Sequence, residues 1–273
     1  RVAAARKGLA ELARFDRTRL DGSQKVSADL VRWSLDDVVK GDEFSDFEWT
    51  FDQFNGLHVG LVNFLSQTHP IRNARDIDNY LARLALVAAR MDEGIAVAKD
   101  AATRGFLMPK FIYTAVLGEF DRFLADAPRQ NVLVTSLDER IAKLAEISAA
   151  DRAQAGSAAE KIVADAVLPA FRRAREMLQE QQARSTVDAG IWRLPGGEKA
   201  YAFYLRRMTT TNFTPEEVHQ LGLKEVARIG TEMDTILRQL GYTTGSLEER
   251  VAKLEASLQP PTSPDPRPAL VAR

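Results

Sequence analysis

Apolar residues recur at steps of three and four positions along most of this chain, the spacing that lines up one face of an α-helix. The longest such stripe predicts a helical run over residues 73–105, with apolar positions at Ile77, Tyr80, Leu81, Leu84, Val87, Met91, Ile95 and Ala98. No run of alternating apolar and polar residues is long enough to predict a strand. The pattern therefore predicts an all-α protein, an irregular array of about nine to eleven helices, with room for one small β-hairpin near Trp192.

Residues that favour helix ends predict where several of these helices begin. Thr214 is followed by Pro215 and, at the third position, by a glutamate, which is the signature of a capping box with proline at the first helical position. Ser136 with Glu139 predicts a second capping box and a helix that starts there. Pro169 is expected to kink or divide a long helical run, because proline has no N–H to donate.

The helix that starts at Thr214 is expected to end at Gly241, since glycine readily adopts the left-handed conformation found at helix ends. Seven of its positions fall on one face at three- and four-residue steps: Val218, Gly222, Val226, Ile229, Met233, Ile236 and Leu240. We expect this face to pack on a core, with Gly222 marking a close contact to another helix.

The domain organisation follows from these helices and from a change of composition near the C-terminal end. Residues 2–20 and 25–40 predict two helices that form an antiparallel hairpin, joined at residues 21–23. Helical spacing then continues to residue 258, so residues 1–258 are expected to form a single helical domain. Residues 259–273 contain five prolines, which cannot continue a helix, and they predict a proline-rich tail.

Composition narrows the classes of function that remain. The 37 basic residues nearly balance the 38 acidic ones, and no block of like charges predicts a nucleic-acid partner. The chain has no cysteine, which excludes disulfides, thiolate nucleophiles and cysteine-ligated metals. No apolar run approaches the roughly 20 residues that span a bilayer. The chain begins with Arg1, which allows export to the periplasm or cell envelope after removal of a signal peptide.

The segment that follows the turn at residues 194–197 contains aromatic residues and paired arginines. Tyr201, Tyr204, Arg206 and Arg207 combine apolar area with a hydrogen-bonding or charged tip, which suits a groove for a peptide or an anion. These four residues are the candidates for substrate-groove contact. The alternative is an ordinary packed surface with the arginines lying along it.

The three histidines give no recognisable metal motif. His58 lies on an apolar helix and His69 precedes a proline at a helix end, so each is expected to satisfy one local partner. Glu216 and His219 are three positions apart, as in di-iron helical bundles, but those sites need a second such pair and the chain has none. No catalytic residue or metal ligand is predicted from spacing, and serine-nucleophile, Walker and dinucleotide motifs are absent.

Two stretches resemble a large bacterial family catalogued as domain of unknown function, family eight-eight-five. The first is HPIRNARDIDNYLARL, residues 69–84, followed by the turn at residues 105–109. The second and more specific is GIWRLPGGEKAYAFYLRRMTTTNFTPEEVHQLGLKEVARI, residues 190–229. The resemblance extends over nearly the whole chain to Leu258, and members of the family look like helical zinc metallopeptidases of the gluzincin type.

The resemblance implies a peptidase in which two histidines of an HExxH helix hold zinc and the glutamate acts as general base. This sequence contains no HExxH, so the resemblance covers an N-terminal helical portion and transfers no catalytic or metal residue. The resemblance further implies that the chain forms one wall of a peptide-binding groove. Zinc, peptide substrate and a missing C-terminal half belong to the intact protein, and the chain alone is expected to be inactive.

A different class of function is also compatible with these residues. The chain can be a non-catalytic helical interaction module whose apolar faces bind a partner protein or a second copy of itself. A third alternative is a metal carrier centred on Glu216 and His219.

Overall fold

The computed structural model describes residues 1–259 together with Asp265, Arg267 and Val271. This part of the chain is helical and contains no strand. Its α-helices are α1 (Val2–Leu12), α2 (Gly22–Gly41), α3 (Leu57–Asn63), α4 (Ala74–Ala85), α5 (Val87–Thr103), α6 (Lys110–Ala125), α7 (Val132–Ile141), α8 (Ala149–Ile162), α9 (Leu168–Arg184), α10 (Gly197–Thr209), α11 (Pro215–Gln239) and α12 (Leu247–Leu258).

Two pairs of these helices are nearly continuous. Only Leu86 separates α4 from α5, and a π-helical turn, Val163–Val167, joins α8 to α9. Counted as continuous rods, the helices of the described residues number ten, which confirms the predicted all-α class and its range of helix number.

The chain divides into two compact units, Arg1–Phe203 and Tyr204–Arg273. The prediction that residues 1–258 act as one domain stays a prediction. Of the predicted tail, only Gln259, Asp265, Arg267 and Val271 are described, and the rest lies outside the described residues.

The core of the first unit lies around α9. Helices α5 and α6 both pack on it, while α8 packs against α4 and α7. Phe171 of α9 is buried and stacks on Phe123 of α6, with 4.1 Å between ring centroids. The small buried side chains Ala155 and Ala159 of α8 allow its neighbours to approach closely. Burial of these apolar faces is the main stabilising term of this unit.

Pro169 lies in the first turn of α9 and affects the helix before it, as its sequence position predicts. Its nitrogen cannot donate to the carbonyl of Asp165, four residues earlier. The preceding turn is π-helical instead, and the N–H of Leu168 donates to the carbonyl of Val163. The helix therefore continues through the proline with a local change of pitch, as π-turns commonly allow.

The N-terminal hairpin forms, but both of its predicted boundaries move. Helix α1 ends at Leu12, and Asp16 caps a short 3₁₀ turn by accepting from the N–H of Thr18. Helix α2 begins at Gly22, because Asp21 and Gln24 form a reciprocal capping box that the sequence analysis missed. Asp21, expected in the turn, is therefore the N-cap residue.

The predicted capping box at Ser136 is wrong. Helix α7 starts earlier, at Val132, because the side-chain oxygen of Asn131 accepts from the N–H of Leu133 at 3.1 Å. Ser136 lies inside the helix, and its hydroxyl is buried without a hydrogen-bond partner. Asn131 lies just before the apolar residues of α7, whereas Ser136 lies among them. Because those apolar residues must be helical to bury one face, the helix begins directly after Asn131 and not at Ser136.

The possible hairpin near Trp192 is also absent. Residues Ile191–Arg193 form a 3₁₀ turn, in which the N–H of Arg193 donates to the carbonyl of Gly190 at 3.3 Å. The N–H of Gly197 in turn donates to the carbonyl of Leu194 at 2.9 Å. These local bonds use the backbone groups that a strand ladder would need.

The ends of α11 agree with the sequence, but its apolar face does not pack as predicted. Thr214 and Glu217 form the expected capping box, and Gly241 follows the helix with φ of +88°. Within the seven-residue face, however, Val226, Ile229, Ile236 and Leu240 are exposed. A Cβ added at Gly222 would meet nothing within 4 Å, so the predicted close helix contact is wrong.

Replacement of the α7 cap tests its corrected boundary. Asn131→Ala is expected to lower the free energy of unfolding by about 1–2 kcal/mol, because the first turn loses its side-chain acceptor. Ser136→Ala, the matched control within the helix, is expected to change it by less than about 0.5 kcal/mol. Urea unfolding followed by far-UV circular dichroism measures both. A larger loss for Ser136→Ala than for Asn131→Ala would restore the boundary predicted from the sequence.

Candidate functional site

The four groove candidates all lie on α10. Tyr201 and Arg206 are exposed, whereas Tyr204 and Arg207 are half-buried. Tyr201, Tyr204 and Arg207 follow one another at three-residue steps, so the helix brings them to one side. Arg206 departs from that line. Their role in substrate contact stays a prediction.

Aromatic stacking fixes the first half of α10 within its unit. The ring of Phe203 stacks on Phe44, with 4.9 Å between centroids, and contacts the backbone position of Gly41. Phe44 belongs to the 3₁₀ segment Asp42–Phe47, and Phe47 packs edge-on against Phe106 at 5.1 Å. The aromatic run that follows α2 thus packs its rings onto the first unit.

A small cavity lies beneath this aromatic segment. It measures about 40 Å³ and is lined by Trp49, Tyr113 and Gln181 among others. The Tyr113 hydroxyl donates to the Gln181 side chain at 2.9 Å, and burial raises the pKa of Tyr113 to about 12. The indole N–H of Trp49 is buried and meets no acceptor among the described residues. A space of this size suits a water molecule and is too small for a peptide.

The first buried polar cluster pairs a histidine with a carboxylate. His58 of α3 is 4% exposed, and its Nε2 lies 3.0 Å from Oε2 of Glu119 on α6. The imidazole stacks on Phe120 with 4.5 Å between centroids. Burial lowers the pKa of His58, and the neighbouring Glu119 only partly opposes that shift. The imidazole is therefore neutral at pH 7, and with Nε2 protonated it donates to the carboxylate.

The second cluster joins His69 to two arginines. The Arg83 guanidinium donates to Nε2 of His69 at 2.7 Å, which places the imidazole proton on Nδ1. Burial, followed by the positive charge of Arg83, lowers the pKa of His69. This histidine is also neutral and serves as a hydrogen-bond acceptor.

Arg140 forms hydrogen bonds to backbone carbonyl groups in the same region. Its guanidinium donates to the carbonyls of His69 at 2.7 Å, Leu65 at 2.8 Å and Ser136 at 3.0 Å. The guanidinium also lies 5.5 Å from the centroid of the Tyr80 ring. Leu65 belongs to the π-helical turn Phe64–Thr68, so Arg140 satisfies carbonyls that this turn leaves without regular partners. These bonds hold the turn before His69 against α7.

The third histidine, His219, has no comparable surroundings. It is exposed at the start of α11, and the side chain of Glu216 accepts from Gln220 at 2.7 Å. Among the described residues, no three His, Cys, Asp or Glu side chains come close enough to hold a metal ion. The metal-carrier alternative therefore gains no support from the geometry.

Sequence spacing predicted local partners for His58 and His69 but not the groups that supply them. Glu119 is 61 positions from His58, and Arg140 is 71 positions from the carbonyl it binds at His69. Such pairs have no periodic signature. One sequence signal could have indicated Arg140. This arginine lies on a predicted helix that also carries buried apolar residues, and a charged group in such a position needs hydrogen-bond acceptors.

Removal of the Arg140 guanidinium tests whether its hydrogen bonds to backbone carbonyls stabilise the fold. Arg140→Met keeps the apolar length and is expected to cost about 2–4 kcal/mol of unfolding free energy, because buried carbonyls lose charged donors. Arg173→Met, which removes a surface pair with Asp92, is expected to cost less than about 1 kcal/mol. Chemical denaturation compares the two. Equal losses would contradict the assigned role of Arg140.

The neutral state of His58 predicts a dependence of stability on pH. Its folded pKa lies below the ordinary value of 6.5, so in acid the unfolded chain binds a proton that the folded chain does not. Stability is expected to fall as pH drops through about 6.5, and His58→Gln to flatten that fall between about pH 7 and 5. The exposed His219→Gln is the control and should keep the wild-type slope. Identical slopes for His58→Gln and wild type would contradict this.

Comparison with known proteins places the chain among longer relatives. A crystal structure of a Colwellia psychrerythraea protein described as a lipoprotein superposes with a TM-score of 0.79 at 21% identity, over 93% of this chain and 45% of that one. The chain thus spans less than half of that protein, and the likeness shows a shared fold. No curated protein matches significantly. None of the described helices combines the length and apolar character needed to cross a membrane. Residues 1–272 match the model for bacterial proteins of unknown function (DUF885), and the chain belongs to this family.

Proposed function

We propose that this chain is the helical, groove-forming portion of a zinc metallopeptidase-like protein and is inactive by itself. The observation that carries the proposal is the coverage of the solved relative: nearly all of this chain superposes on less than half of that protein. The resemblance of residues 69–84 and 190–229 to helical zinc peptidases adds the class of chemistry.

The residues present here do not fit a zinc site. The sequence contains no HExxH, and the three histidines lie in separate surroundings. His58 and His69 already bond to Glu119 and Arg83, and no third ligand approaches either within the described part of the chain. Zinc, and the activated water it would supply, therefore belong to the part of a longer protein outside this chain, and no step of hydrolysis is assigned to residues of this chain.

The contribution of this chain is substrate contact. Tyr201 offers an exposed ring and Arg206 an exposed guanidinium, which can pack on a peptide side chain and bind a carboxylate. Tyr204 and Arg207 are half-buried, which suits residues that position the groove wall. A peptide in extended form would lie along the side of α10 that carries Tyr201, Tyr204 and Arg207, and Arg206 would reach it from the flank of the helix.

We also propose an exported location for the protein. The solved relative is described as a lipoprotein, a class of protein attached to membranes by a lipid. The absence of cysteine from this chain is compatible with an oxidising compartment, because no thiol is present to be oxidised.

Peptidase assays test the proposal directly. The purified chain with added zinc chloride is expected to leave short fluorogenic peptides uncleaved, whereas the longer Colwellia protein is expected to cleave them until a chelator removes its metal. Cleavage by this chain that a chelator abolishes would show that a complete site lies within it. A longer protein that never cleaves peptides would contradict the peptidase assignment.

A second candidate function is a non-catalytic interaction module or a homo-oligomer. One observation favours it: Val26, Leu30 and Trp33 lie on one exposed face of α2, and α11 has a similar exposed face. Apolar faces of this kind commonly bind another protein surface. Dimers at micromolar concentration in sedimentation experiments would favour this candidate, and a monomer would count against it.

A further inference from the structure

The apolar face of α11 runs along much of the longest described helix of the second unit. Its central residues are Val226, Ile229, Met233, Ile236 and Leu240, which we call the α11 seam. Their spacing alternates between three and four positions. Val226 is 70% exposed, Ile229 44%, Ile236 53% and Leu240 55%, whereas Met233 is partly buried, so α12 leaves most of the seam uncovered within this unit.

Contacts with α12 cover one side of α11. Leu237, beside the seam, is 3% exposed in the part of α11 that packs with α12. The buried Arg250 of α12 binds Asp234 at 2.6 Å, which fixes the two helices to each other. On the opposite side, Arg228 pairs with both Glu225 and Glu232 of the same helix. Helix α12 therefore fixes one side of α11, and most of the seam remains exposed.

The shape of the seam selects a helix as its occupant. From Val226 to Leu240 it runs for about 21 Å at 1.5 Å per residue, or roughly four turns. A convex row of side chains at alternating three- and four-residue steps is what one helix presents to another in knobs-into-holes packing. A small ligand would need a concave pocket instead.

Charge at the edge of the seam does not select the occupant. Glu225 and Glu232 lie along one edge, but Arg228 of the same helix already pairs with both. The apolar row itself is what a second helix would recognise.

We propose that the α11 seam is the binding face for one amphipathic helix with an apolar stripe. That helix comes from the portion of a family-length polypeptide outside this chain. The solved relative has more than half of its length beyond the superposed part, enough to supply it. This inference rests on the proposed function only in treating the chain as one portion of a longer fold.

The same pair of substitutions in two contexts tests the proposal. In this chain, Ile229→Glu with Ile236→Glu is expected to shift the Tm by no more than the control Thr231→Glu with Thr235→Glu, which lies on the exposed polar side. In the longer Colwellia protein, glutamates at the positions that superpose on Ile229 and Ile236 should lower the Tm by roughly 10 °C, because they would be buried without partners. Glutamates at the positions that superpose on Thr231 and Thr235 should not lower the Tm of the longer protein.

Two results would overturn the proposal. The first is an equally small Tm shift for seam and control substitutions in the longer protein, which would mean that nothing covers the seam there. The second is a dimer of this chain that Ile229→Glu with Ile236→Glu converts to monomer, which would make a second copy the occupant. Failure of the longer protein to cleave peptides would contradict the proposed activity and leave this packing test intact.

Discussion

The fold of the first unit depends on the burial of α9 between α5 and α6. Each of these helices is amphipathic, and none could keep its apolar face in water at an acceptable cost in free energy. Phe171 lies at the centre of this contact, buried among the rings of Phe120 and Phe123. The positions of α4, α7 and α8 follow, because each completes the cover of the same core.

Polar groups inside this core are consequences of the same packing. Once α3 and α6 are pressed together, His58 must find a partner, and Glu119 is the acceptor on the facing helix. Arg140 likewise supplies donors to carbonyls of the π-turn before His69. These clusters have the buried, perturbed residues often found in active sites. Each histidine has one structural partner, Glu119 for His58 and Arg83 for His69, while Nδ1 of each ring is buried without a partner among the described residues.

The sequence predicts the helical class and both ends of α11 because these are local properties of neighbouring residues. It fails where two local signals compete, as at Asn131 and Ser136, and where partners are distant in the chain, as for Glu119 and Arg140. The groove candidates on α10 could be chosen only from residue type, since exposure on one helix does not reveal what approaches it. The prediction that the α11 face is buried assumed that every apolar stripe packs against another part of the same chain.

That uncovered stripe is the physical link between the fold and the proposed role. A helix whose apolar side is largely exposed within its own unit is expected to gain cover in a longer polypeptide. Amide hydrogen exchange along residues 215–239 measures this most directly. The account predicts that these amides are far less protected than those of α9 in this chain, and as protected as those of α9 at the matching positions of the longer Colwellia protein. Equal protection of α11 and α9 in this chain alone would contradict it.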